Sequence, residues 1–219
     1  MERVIPLSQG APDWGTTARM AKLYFCYAAM NAGKSTLLLQ SSYNYAERGM
    51  RTLLFTSALY AEGGTGVISS RLGISSPAEL YDSGTDLFSR IRDETDISKV
   101  DCVFVDEAQF LTAEQVWQLA RVADRLRVPV MCYGLRTDFQ GRLFPGSSEL
   151  LAIADVLREI RTICHCGAKA TMVVRQDQNG RVLLEGDQVS IEKSVYVSLC
   201  RRHWEEDTAR WPVKGPHHD

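Results

Sequence analysis

One stretch restricts the fold more than any other. The apolar run Lys22-Leu-Tyr-Phe-Cys-Tyr-Ala28 leads through Ala29-Met30-Asn31-Ala32-Gly33 into Lys34-Ser35-Thr36. A segment with the length and ending of a helix follows, closed by Arg48 and Gly49. A loop between a buried strand and a helix aims unpaired backbone N–H groups, at the positive end of the helix dipole, toward one point. Such a loop binds phosphate. Residues 28–35 match the pattern G-x-x-x-x-G-K-[ST] except that Ala28 stands where the first glycine is usual. That position needs a small residue at a turn. Gly33 lets the backbone come close to a ligand, Lys34 reaches the outer phosphate oxygens, and the Ser35 hydroxyl is a ligand for Mg²⁺.

The following segments predict how the loop is supported. Residues 51–56 and 128–134 read as buried strands. Residues 101–107 form a third apolar strand that ends in Asp106-Glu107, and residues 112–126 form an amphipathic helix with Thr112 as its N-cap. Strands and helices of these lengths in alternation predict a parallel sheet covered on both faces. With 219 residues, 45% of them apolar, the chain can bury one good-sized core with a small appendage. The net charge of −2 supplies no basic excess to track a phosphodiester backbone. No apolar run approaches the ~20 residues of a membrane span, and the N-terminus lacks a signal peptide's apolar stretch.

A phosphate loop needs a second carboxylate to hold Mg²⁺, commonly at the end of a neighbouring strand, and Asp106 fits. Glu107 points elsewhere and can act as general base. A base here deprotonates water in an ATPase or a substrate hydroxyl in a kinase. The sequence Asp-Glu-Ala-Gln also resembles the acidic box of helicase motors, although a motor normally needs two such domains and a basic groove. A nucleotide-binding module without catalysis is a third reading.

After about residue 155 the texture becomes β-rich, and Asn179-Gly180 marks a hairpin. Cys26, Cys102 and Cys132 lie in apolar runs and read as buried small hydrophobes; this usage suits a reducing cytoplasm. Cys164-x-Cys166 and Cys200-x-x-His203 are different. They make a complete thiolate and imidazole set for tetrahedral zinc, with no open position, so the metal is structural. His165, between two ligands, is poorly placed to share the metal. The site would anchor residues 167–199. The chain thus divides into a flexible extension (1–19), a nucleotide-binding α/β domain (20–157), a zinc-binding domain (158–207) and a flexible tail (208–219).

Four stretches in this order, "YAAMNAGKSTLLLQ", "VFVDEAQFL", "CYGLRTDF" and "YVSLCRRHW", closely resemble bacterial thymidine kinase of the type shared with animal cytosolic thymidine kinase. The similarity runs from about Met20 to His203. It implies a RecA-like parallel sheet with a small zinc-ribbon domain carrying a lasso loop, and transfer of the γ-phosphate of ATP to the 5′-hydroxyl of thymidine. It implies Glu107 as base, Ser35 and Asp106 at Mg²⁺, and Ala28, Ala29, Met30, Asn31, Ala32, Gly33, Lys34, Ser35, Asp106, Glu107, Ala108 and Gln109 around the phosphates. Met30, Phe110, Leu135 and Phe139 would line the base, and Tyr196 would close over the nucleoside, with Gln109 a further contact. A homotetramer inhibited by dTTP is implied as well. Two departures stand out. Tyr60 and Glu62 occupy places where the family usually has aspartate and arginine, leaving Arg71 or Arg136 to supply charge. Glu192-Lys193 stands near the family's usual pair of glycines.

Overall fold

The computed structural model describes residues 21–60, 65–188 and 195–210. The proposed extension at 1–19, Glu62, Glu192-Lys193 and residues 211–219 of the tail lie outside the described residues.

The first half runs β1 (Leu23–Ala28), α1 (Lys34–Ala46), β2 (Thr52–Ser57), β3 (Val67–Ser69), β4 (Ser75–Pro77), β5 (Glu79–Tyr81), α2 (Leu87–Ile97) and β6 (Cys102–Val105). Then come α3 (Ala113–Arg121), β7 (Val130–Leu135), α4 (Pro145–Ile153) and β8 (Val156–Glu159). Six strands form one sheet in the order β5-β2-β6-β7-β1-β8, and every pairing in it is parallel.

Strand periodicity sorts the core into two layers. Phe25, Val103, Val105 and Cys132 face one side, where Leu87 and Ile91 of α2, Val116 and Leu119 of α3 and Leu150 of α4 cover them. Cys26, Cys102, Phe104 and Tyr133 face the other side, against Leu38 and Leu39 of α1 and Ile68 of β3. Cys26, Cys102 and Cys132 are all buried. Burial holds the thiols of Cys26 and Cys102 protonated, with that of Cys102 pushed up to about 12.

Capping explains where the helices start. Asp86 accepts from Ser89 N at α2, and Thr112 and Gln115 form a reciprocal capping box at α3. The predicted helix over 112–126 is α only to Arg121. It widens into a π-helical turn over Val122–Leu126 and stops where Arg127 takes a φ of 58°.

Past β8 the chain forms a small β-rich region: β9 (Thr162–Ile163), β10 (Lys169–Ala170), β11 (Met172–Gln176), β12 (Val182–Leu183) and β13 (Val195–Leu199), then α5 (Arg201–Asp207). β11 lies between β12 and β13, antiparallel to both. The β11–β12 turn contains Gly180 at φ 77°, and the Asp177 side chain accepts from Asn179 N and Arg181 N. Cys164, Ala170, Val174, Leu199 and Trp204 form this region's own core.

Candidate active site

The loop after β1 turns through two left-handed residues, Asn31 at φ 60° and Gly33 at φ 81°. Gly33 is the N-cap of α1. Its conformation is what calls for glycine, because a Cβ there would meet no atom within 4 Å. Unlike α2 and α3, this helix has no side-chain cap, and unlike α3 it has no acid in its first turn. Its first N–H groups are therefore available to an anion.

A cleft of about 680 Å³ opens at this helix start. Met30, Asn31, Ala32, Gly33, Lys34 and Ser35 border it, together with Glu107 and Leu135. Ala28 ends β1, 3% exposed and paired with Leu135, and does not border the cleft. Neither does Ala29. Burial pulls the Lys34 ammonium below the ordinary lysine value, while the charges of Glu107 and Asp106 hold it up.

Asp106 and Glu107 follow β6 and face different partners. Asp106 is buried, and its Oδ2 accepts from Ser35 Oγ at 2.9 Å. Burial, and next the charge of Glu107, raise its carboxyl to about 6. A cation between Ser35 and Asp106 would relieve that pressure, so the donor set suits a hard divalent ion. Glu107 adopts a left-handed backbone, φ 54° and ψ 34°, which is unfavourable for a residue with a Cβ. Three hydrogen bonds hold it there: Tyr81 Oη to Glu107 O at 2.8 Å, Phe110 N to Glu107 O at 3.0 Å, and Glu107 N to Asp106 Oδ1 at 3.0 Å. Burial, then the nearby carboxylates, keep the Tyr81 phenol protonated and able to donate.

Ala108 and Gln109 lie in the short turn after Glu107 and are buried, 0% and 1% exposed. The Gln109 amide bridges Glu107 and β7, with Nε2 donating to Glu107 Oε2 and Oε1 accepting from Leu135 N. Phe110, Phe139 and Tyr196 do not border the phosphate cleft. Phe110 packs edge-on against Phe144, and the Phe139 ring lies 4.1 Å beneath the Arg175 guanidinium. Tyr196 is joined to the loop through its backbone, Asn31 Nδ2 to Tyr196 O at 3.2 Å. Two residues later Ser198 Oγ donates to the Met30 carbonyl at 2.5 Å. Nothing in the local sequence around Tyr81 or Ser198 marks either contact, since each depends on pairing across the fold.

Cys164, Cys166, Cys200 and His203 place their ligand atoms within 4.8 Å of one another. His203 Nδ1 is 3.3 Å from Cys164 Sγ and 3.4 Å from Cys200 Sγ, and Cys166 Sγ is 3.9 Å from Cys200 Sγ. Ligands about 2.3 Å from a tetrahedral zinc are separated by roughly 3.8 Å, so this donor set fits that ion. Burial works to raise the Cys164 thiol, but the N–H groups of Cys166 and Cys200 and the His203 side chain outweigh it and hold it at about 6. His165 stacks on His203, ring centroids 4.2 Å apart, and is not a member of the four.

Comparison with known proteins places the chain in a family. The family profile described as "Thymidine kinase" matches residues 21–204. A protein named thymidine kinase from Mesorhizobium japonicum is 66% identical over 191 residues, 87% of this chain and 94% of that one. One of the same name from Ruegeria pomeroyi is 61% identical, covering 90% and 100%. Another from Yersinia pestis is 60% identical, covering 85% and 96%.

Proposed function

This chain belongs to the thymidine kinase family, and from that premise we propose that it transfers the γ-phosphoryl group of ATP to the 5′-hydroxyl of thymidine, with Glu107 as general base. The observation that carries the reading is the cleft itself: Lys34, the start of α1 and the Glu107 carboxylate border one space. The N–H groups of residues 31–35 and the Lys34 ammonium bind the triphosphate. Ser35 and Asp106 would hold Mg²⁺, which supplies charge to the β- and γ-oxygens. Glu107 accepts the proton of the 5′-hydroxyl as that oxygen bonds to the γ-phosphorus. The bond from phosphorus to the bridging oxygen breaks, and ADP leaves.

Met30 and Leu135, which border the cleft, supply apolar contact for the thymine ring. The placement of Phe110, Phe139 and Tyr196 around the nucleoside rests on the family resemblance. Cys164, Cys166, Cys200 and His203 would hold a structural zinc that fixes the ends of residues 167–199, the lasso. We also read residues 20–157 as the nucleotide-binding domain and 158–207 as the zinc domain. The resemblance supports a homotetramer inhibited by dTTP, and the free cysteines suit a cytoplasmic enzyme. Among the described residues no helix is long and apolar enough to cross a membrane.

ADP release measured with and without thymidine tests the reading. Thymidine-dependent release is the expected result. Release that depends on DNA instead would favour a motor, and release with neither would leave a binding module.

A further inference from the structure

The fold treats the two arginines singled out in the sequence differently. Arg136 donates through one guanidinium nitrogen to the Thr171 carbonyl at 3.0 Å and does not border the phosphate cleft. Arg71 borders the cleft together with Lys34 and Glu107. It is exposed, and among the described residues its guanidinium has no hydrogen bond or ion pair.

The backbone that carries Arg71 is held in place. It lies at the tip of the β3–β4 hairpin, whose Ser69, Ser70 and Leu72 border the cleft too. Ile68, just before the tip, is 1% exposed and packs with Leu38 and Leu39 of the phosphate-loop helix. The tip is closed by Ser70 N to Ile74 O at 2.9 Å and by Gly73 N to Ser70 O at 3.0 Å, with Gly73 at φ 82°. At the base, Ala78 N donates to Gly66 O at 2.9 Å. A Cβ at Gly66 would come within 2.0 Å of the Ala78 carbonyl oxygen, so that approach requires glycine.

Among the described residues, the charged ones bordering the cleft are Lys34, Arg71, Arg161 and Glu107. A triphosphate needs more positive charge than one lysine supplies. Arg161 directly precedes β9 and borders the cleft from the side of the β-rich region. The hairpin that carries Arg71 packs on α1 through Ile68. We propose that Arg71 binds the triphosphate of ATP from the hairpin side of the cleft, as a second phosphate-binding cation beside Lys34. The inference rests on the kinase reading for the identity of the nucleotide. A guanidinium on phosphate makes charge-assisted, often paired hydrogen bonds, and loss of one such contact costs about ten- to a hundredfold.

Arg71→Ala and Arg71→Lys test it, with thermal unfolding as the check on folding. Equilibrium binding of ATP and of ADP is measured without thymidine, and steady-state phosphorylation with it. Arg71→Ala should weaken ATP binding about tenfold or more and raise the KM for ATP, with the KM for thymidine unchanged. Arg71→Lys should recover part of the loss, because it keeps the charge without the planar fork. A folded Arg71→Ala protein that binds ATP within twofold of the parent overturns the proposal. The binding comparison decides this even if phosphorylation proves independent of thymidine, so failure of the kinase reading is distinguishable from failure of the Arg71 assignment.

Discussion

Gln109 Nε2 donates to Glu107 Oε2 at 2.5 Å, and the direction of that bond is fixed from the far side, because Gln109 Oε1 already accepts from Leu135 N at 3.0 Å. The amide cannot flip without facing N–H to N–H and carbonyl to carboxylate. Gln109 therefore acts as a positioning residue for Glu107. Gln109→Leu removes the brace and leaves the Leu135 N–H buried without a partner, at a cost of about 1–3 kcal/mol in stability. A misplaced carboxylate should lower kcat about 10–10²-fold while the KM for thymidine changes little. Steady-state kinetics beside thermal unfolding separates the effects. A lower Tm with unchanged kcat would reduce the brace to a packing role.

Glu107→Gln keeps the shape of the side chain but cannot accept the 5′-hydroxyl proton. Turnover should fall about 10²–10⁴-fold, with thymidine binding retained. Near-normal turnover in a folded variant would remove Glu107 from the role of base.

The phosphate loop should tolerate change at its first position and not at its lysine. Ala28 is a buried strand residue without a positive φ, so alanine suits it. Ala28→Gly should alter activity little and cost roughly 0.5–1 kcal/mol in stability, from backbone entropy. Lys34→Ala deletes the charge at the helix start and should nearly abolish phosphorylation. Circular dichroism and thymidine phosphorylation on both variants give the answer, and substantial turnover by a folded Lys34→Ala protein contradicts the assignment.

Metal analysis of protein purified without added zinc should find one zinc per chain. Cys200→Ser should lower the Tm and raise the KM for thymidine, because β13 ends one residue before Cys200 and its Ser198 is bonded to Met30. A protein without metal that is folded and fully active would exclude the site.

Local signals carried much of this reading, and contacts across the chain carried the remainder. The sequence from β1 through the loop to α1 is contiguous, so its chemistry is written in one stretch. Thr112 caps its helix as read, because a cap is a short-range bond to Gln115 N. The four members of the Cys/His cluster sit in two short pairs whose chemistry is legible wherever the fold places them. The brace on Glu107 was not legible, since it needs Leu135, 26 residues from Gln109. Nor was the Tyr81 bond to the Glu107 carbonyl, also 26 residues away. Gln109 reads as a ligand contact from the motif alone. Its burial follows from the turn after Glu107, which carries the side chain under β7 rather than toward the cleft.

The two hydrogen bonds between the phosphate loop and β13, Asn31 to Tyr196 and Ser198 to Met30, join residues 165 and 168 positions apart. With the nucleoside held beside Tyr196, as proposed, they would make the free energy of each substrate site partly a property of the other. A nucleotide that stabilises the loop in this arrangement also stabilises the strand leading to Cys200. Any gain in acceptor affinity that follows must be matched by an equal gain in nucleotide affinity when the acceptor binds first, because such linkage is reciprocal.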